Sequence, residues 1–240
     1  MEIKGKKKYI GAAALLLIAV VVAGIAVLTL KKPAADQPLS KGDIVALGTY
    51  EQNNNLSDGA EPIEWRVLER IGDEVLLLSV NCLDCRTYND VPFEPVTWET
   101  SAIRAWLGDE FYNSVFTDEE KQRIVLADNV NTDQSEAGTE GGADTQDYVF
   151  LLSEQEAGIY MGNEIDQEYV GKAVPTAYAI EQGAHIDETG AAEWWLRSPG
   201  AYEYTAQFVE PSGVPYIAGA YADISYAVRP AIWIKVGAKQ

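Results

Sequence analysis

Residues 194–236 read WWLRSPGAYEYTAQFVEPSGVPYIAGAYADISYAVRPAIWIKV, and the fold turns on them. The stretch has no helical period. Short apolar runs (WWLRS, TAQFV, VPYIAG, SYAVRPAIWIKV) alternate with SPG, PSG and similar turn formers, which predicts a terminal series of strands. It also holds 9 of the chain's 24 aromatic residues and two of its seven arginines. Arg197 in LRSP and Arg229 in VRPA sit inside apolar strands just before a proline. The residue preceding proline is pushed toward extended backbone, so Ser198 and Arg229 continue their strands. A buried guanidinium must be paired. Arg197 and Arg229 are therefore expected to pin neighbouring strands through Glu64, Glu99 or Glu193, with Trp194, Trp195 and Trp233 filling the core beneath.

Upstream, GDIVALGTYEQ (42–52) alternates as a strand. PIEWRVLER (62–70) and DEVLLLSVNCL (73–83) form a hairpin across Ile71-Gly72-Asp73. Ser101 or Thr100 caps a helix carrying Ile103, Trp106 and Leu107, and Thr117 with Glu120 marks a capping box. IVLADNV (124–130) and YVFLLS (148–153) read as strands, SEQEAGIYM (153–161) as a helix capped by Ser153, and PTAYAIEQG (175–183) as another with Pro175 in its first turn. Residues 131–147, polar and Gly-rich, read as a surface loop. The order predicts an α+β domain, mainly antiparallel with a few short flanking helices, whose two ends meet in one sheet.

Residues 9–30 are 22 residues without a charge, enough to span a bilayer as a helix. The span is longer than the apolar part of a signal peptide. Lys4, Lys6, Lys7 and Lys8 before it favour the cytoplasmic side. The expected layout is a tail at 1–8, a transmembrane signal anchor at 9–30, a linker at 31–42 and an extracellular domain at 43–237. A cleaved signal peptide is the alternative, with the same compartment. Residues 33–240 carry 12 Lys and Arg against 36 Asp and Glu, a net charge of −24. Such a surface repels nucleic acid, which is excluded as a partner.

Catalytic patterns are sparse. His185, the single histidine, lies in a turn-rich stretch and must serve any histidine-dependent proposal. Two-histidine metal sites are ruled out. Cys82 and Cys85 form a lone CxxC that ends a strand; a local disulfide and two unpaired thiols both remain open. DNVNTDQSE (128–136) alternates oxygen-bearing side chains as calcium loops do, yet lacks an EF-hand's central glycine and terminal glutamate. No cofactor is expected, with calcium there as the one ion to test.

GDIVALGTYEQ, PIEWRVLE, VTWETSAIRAWL, TQDYVFLLS, PTAYA, WWLRSPG and YAVRPAIWI, in this order, resemble a widespread bacterial extracellular domain of unknown function. That domain is similar to the C-type-lectin-like superfamily, which includes formylglycine-generating and sulfatase-modifying enzymes and the variable ligand-binding proteins of diversity-generating retroelements. The resemblance implies a C-type-lectin-like fold. The formylglycine generators use two copper-binding cysteines late in the domain, whereas Cys82 and Cys85 come early. In the binding branch, contacts come from exposed side chains between the last core strands. Carried over, these are Tyr202, Glu203, Tyr204, Gln207, Tyr216, Tyr221 and Asp223, with Tyr226 turned into the core beside Ile224 and Val228. The implied role is non-catalytic recognition of a protein or glycan at the bacterial cell envelope. A formylglycine-generator-like oxidoreductase and a structural or sensory ectodomain assembling with other membrane proteins are the alternatives.

Overall fold

A computed structural model describes residues 38–161 and 170–237. The tail, the 9–30 segment and most of the linker lie outside the described residues. Among the described residues no helix is long and apolar enough to cross a membrane.

Two five-stranded sheets make the domain. The first runs β1 (Ile44–Tyr50), β2 (Glu61–Ile71), β3 (Glu74–Ser79), β12 (Ala231–Lys235), β5 (Ile124–Val125), each pair antiparallel. The β2–β3 hairpin turns at Gly72, whose φ of 63° supplies the left-handed backbone that a two-residue turn requires. The second runs β10 (Pro215–Tyr221), β9 (Thr205–Val209), β8 (Trp194–Pro199), β11 (Ser225–Val228), β4 (Asp84–Thr87), antiparallel except for β8 beside β11. The expected single sheet is thus corrected to two main sheets, with a two-stranded ribbon of residues 127–129 and 145–147 beside them. The ends of the domain do meet, but only β12 returns to the first sheet.

The crossing happens at Arg229-Pro230. Proline has no N–H to continue the β11 ladder, and Pro230 instead accepts a hydrogen bond from Ser79 N at 3.0 Å. Arg229 is buried and donates to three carbonyls: Ser79 (2.9 Å), Val170 (2.6 Å) and Val80 (3.3 Å). Its guanidinium lies 5.0 Å from the Trp194 ring centroid. Burial lowers its pKa to about 10, so it stays a cation at neutral pH. The expected carboxylate partners are corrected: the backbone carbonyls of Ser79, Val80 and Val170 solvate this charge, as a planar five-donor fork allows.

Arg197 does take a carboxylate, though not one of those expected. It pairs with Glu156 and donates to Leu151 O at 2.9 Å. Glu156 is the third residue of α4 (Glu154–Tyr160) and closes the capping box on Ser153, so one carboxylate caps the helix and holds the strand. A second capping box, Thr117 with Glu120, starts α3 (Asp118–Lys121) as expected. Ser101 caps α1 (Ala102–Trp106), which continues through a π-helical turn at Leu107–Phe111 into α2 (Tyr112–Val115). Thr176 caps α5 (Ala177–Glu181), placing Pro175 just before the helix rather than in its first turn.

YVFLLS is not a strand. Phe150 exchanges both backbone hydrogen bonds with Ala231 of β12, and Leu152 O accepts from Arg197 N of β8 at 2.9 Å. This buried segment therefore bridges the two sheets, and its polar groups are divided between them instead of forming a ladder.

The core contains Trp65, Trp98, Trp194 and Trp195, all fully buried. Each indole N–H finds an acceptor: Leu47 O, Asp147, Gly171 O and Arg86 O. Buried indoles normally need such partners. Trp233 packs against this core from its margin, half-buried rather than fully enclosed.

Candidate functional site

Strand β8 ends at Pro199, and the chain turns through residues 200–204 into β9. A Cβ at Gly200 would fall 2.3 Å from Thr205 Oγ1 and 2.7 Å from Ala218 O, so β10 can approach the turn only because residue 200 is glycine. Thr205 Oγ1 donates to Tyr202 O at 2.7 Å and accepts from Tyr202 N at 3.1 Å. Outside the turn, Val96 N donates to Glu203 O and Ala222 N to Tyr204 O. The turn is a fixed platform.

On it stands a row of aromatic rings. Tyr202 stacks on Tyr204 with centroids 5.6 Å apart and planes 3° from parallel, and Tyr204 on Tyr221 at 5.9 Å and 18°. Phe93 lies edge-on to Tyr204 and Tyr221 at 5.7 and 5.3 Å. Phe93, Tyr202 and Tyr221 are 65%, 62% and 49% exposed. Phe93 also has φ +56°, an unfavourable backbone for a bulky non-glycine residue, at a cost of about 1–3 kcal/mol.

Beside the row opens a cleft of ≈ 770 Å³, walled by the 95–100 segment, the 138–142 loop and residues 201–204. The 95–100 wall is tied back through Trp98 to Asp147 of β7 (Thr145–Asp147), which pairs with β6 (Ala127–Asn129). The Asp147 carboxylate accepts from Arg104 Nε (2.7 Å), Thr145 Oγ1 (2.7 Å), Asn129 Nδ2 (2.9 Å) and Trp98 Nε1 (3.0 Å). Burial alone would raise its pKa, but these donors outweigh it and hold the carboxyl below its usual range.

The loop wall is tied down by the oxygens that resembled a calcium run. Asp133 Oδ1 accepts from Gly141 N, Asp128 Oδ1 from Gln146 Nε2, and buried Gln134 donates to Ile217 O at 3.1 Å. These groups serve the loop's own backbone and neighbours. Among the described residues no group of three or more His, Cys, Asp or Glu is placed to hold a metal ion.

The seven proposed contact residues divide. Tyr202, Tyr204 and Tyr221 come together in the row, and Glu203 lines the cleft. Tyr216 is exposed but heads a different series, Tyr216–Phe208–Tyr226–Trp195, running into the core. Half-buried Asp223 lines no part of the cleft. Gln207 is corrected: it is fully buried and donates to Glu154 (2.7 Å) and Pro199 O (3.1 Å). All five residues of β9 are buried, so outward alternation fails there. Tyr226 is half-buried, between buried Val228 and exposed Ile224. Phe93 was missed; its only trace in the sequence is an apolar Val91 and Phe93 set among Asp90, Pro92, Glu94 and Pro95.

Cys82 and Cys85 are unpaired thiols, both buried. Burial pushes Cys82 up to about 12 against the pull of Arg229, and Cys85 up to about 11. Neither is a thiolate at neutral pH, which removes the reactive form of the sulfur. His185 is exposed, away from the cleft lining.

These features define a β-rich α+β domain with a rigid aromatic platform beside an open cleft. Residues 72–236 match the family described as a domain of unknown function, DUF6273, and the chain belongs to that family. No curated protein and no solved structure matches the chain.

Proposed function

We propose that this chain is a non-catalytic recognition protein of the bacterial cell envelope, anchored by 9–30, with its C-type-lectin-like domain outside the membrane. The carrying observation is the row of exposed Tyr202, Tyr221 and Phe93 around half-buried Tyr204, seated on a hydrogen-bonded turn beside a ligand-sized cleft. Contiguous exposed aromatic surface marks interaction sites. Tyrosine gives large contact area for little lost rotamer freedom. The strained backbone of Phe93 costs folding free energy while leaving its ring in solvent, which favours selection for contact over selection for packing. The lectin-like assignment is supported by the return of the C-terminal strand to the N-terminal hairpin.

The buried thiols weigh against the oxidoreductase alternative, since copper-binding or nucleophilic sulfur needs a thiolate. The test is an array of glycans and peptides probed with the full chain in zwitterionic nanodiscs. Recognition through the row predicts that Tyr204→Ala and Phe93→Ala lose the same ligands, each by about 30-fold or more in affinity, as truncated aromatic anchors do. Unchanged binding in both variants would reject the surface.

A further inference from the structure

Resting on that reading, we infer that the ligand is a basic peptide segment, presenting Lys or Arg side chains to the aromatic row and the cleft. The cleft is lined by Glu99, Glu140 and Glu203 and by no Lys, Arg or His. All three glutamates are exposed, and among the described residues none forms an ion pair. The Tyr202 and Tyr204 rings line the same cleft, and aromatic faces are electron-rich and attract cations.

Elsewhere four rings carry a cation over their faces. Arg86 lies 3.9 Å over Trp106, Lys121 5.2 Å over Tyr112, Arg197 5.7 Å over Phe150 and Arg229 5.0 Å over Trp194. No cation of the described residues lies over Tyr202, Tyr204, Tyr221 or Phe93. This exposed aromatic cluster carries no cation of its own, and it borders three exposed glutamates, of which Glu99 accepts a long hydrogen bond from Ala143 N at 3.4 Å while, among the described residues, Glu140 and Glu203 accept none on their carboxylates. A guanidinium or ammonium satisfies both at once, stacking on a ring while pairing with a glutamate. A neutral glycan would use the rings but leave the concentrated charge without purpose. An anionic ligand would be repelled by the site and by the −24 domain around it. The cleft volume falls within the usual ~300–1,000 Å³ of ligand sites, enough to take side chains rather than a whole folded surface.

The test uses the full chain in phosphatidylcholine nanodiscs, which carry no net lipid charge. Three fluorescein-labelled peptides of equal length, carrying Arg, Gln or Glu at alternate positions between glycines, are titrated by anisotropy, with cellotetraose as an unlabelled competitor. The Arg peptide is expected to bind, the Gln and Glu peptides at least tenfold more weakly. Glu140→Gln with Glu203→Gln should weaken the Arg peptide about tenfold, and Tyr204→Ala by a similar factor. Glu119→Gln with Glu188→Gln removes the same net charge at exposed positions outside the cleft, and should change affinity less than threefold. Equal weakening by the two double variants would mean attraction to bulk charge and overturn the inference. So would no binding of the Arg peptide. Cellotetraose binding that depends on Tyr204 but ignores the glutamates would also overturn it, while leaving the recognition reading intact. Failure of every probe, with arrays insensitive to Tyr204→Ala, would end both.

Discussion

Strand β8 (Trp194–Pro199) and the turn that follows it at 200–204 are neighbours in sequence, and both are rich in aromatic rings. In the strand every residue is buried, each indole N–H has an acceptor, and Trp194 carries a cation on its face. In the turn, Tyr202 is 62% exposed and no described cation covers the rings. One group of rings is finished by the protein itself and the other is left open. Aromatic content alone therefore says nothing about role; satisfaction of the ring's edges and faces does.

That contrast breaks most visibly in stability. Trp195→Ala should cost about 3–5 kcal/mol in urea unfolding, because it empties a packed site and strands the Arg86 carbonyl. Tyr202→Ala should cost under about 0.5 kcal/mol by the same measurement. Comparable losses would refute the division into scaffold and surface. Asp147→Asn tests the tie behind the 95–100 wall, and should cost about 2–3 kcal/mol by leaving charge-assisted donors short of an acceptor.

The sign of its pH dependence follows from the depressed pKa. The Asp147 contribution is fully present above the unfolded value near ~3.9 and fades as pH falls through the lower folded value. Wild type should thus lose stability below about pH 4 more steeply than the asparagine variant. Gly200→Ala sits at the boundary of the two regions. Its Cβ would collide with Thr205 and with the β10 backbone, for about 1–3 kcal/mol and a displaced Tyr202–Tyr204 pair. The smallest effect concerns the thiols. At pH 8 Cys82 and Cys85 should resist iodoacetamide until urea unfolds the chain, since burial holds both protonated.

Local physics was readable in the residues, and distant partnership was not. The Ser153 cap, Thr117 with Glu120, and the turn at Gly72 each place their chemistry within four residues, and all three stand as expected. The split into two sheets depends on where the chain crosses, and Pro230 marks that crossing only once Ser79 is seen to pair with it. Arg229 was expected to seek a carboxylate, but it uses carbonyls, which no side chain advertises. Gln207 looked outward-facing because its acceptor, Glu154, lies 53 positions away on α4. Phe93 joins the row through a loop with no periodicity, so only the folded turn reveals its neighbours.

The sharpest test measures two quantities on one variant. Ligand affinity and urea midpoint are determined for Tyr204→Ala against wild type, in the full chain. An open recognition surface predicts at least about a 30-fold weaker complex with a midpoint close to wild type. Full affinity, or a lost complex accompanied by a collapsed midpoint, would make the row one more piece of the scaffold.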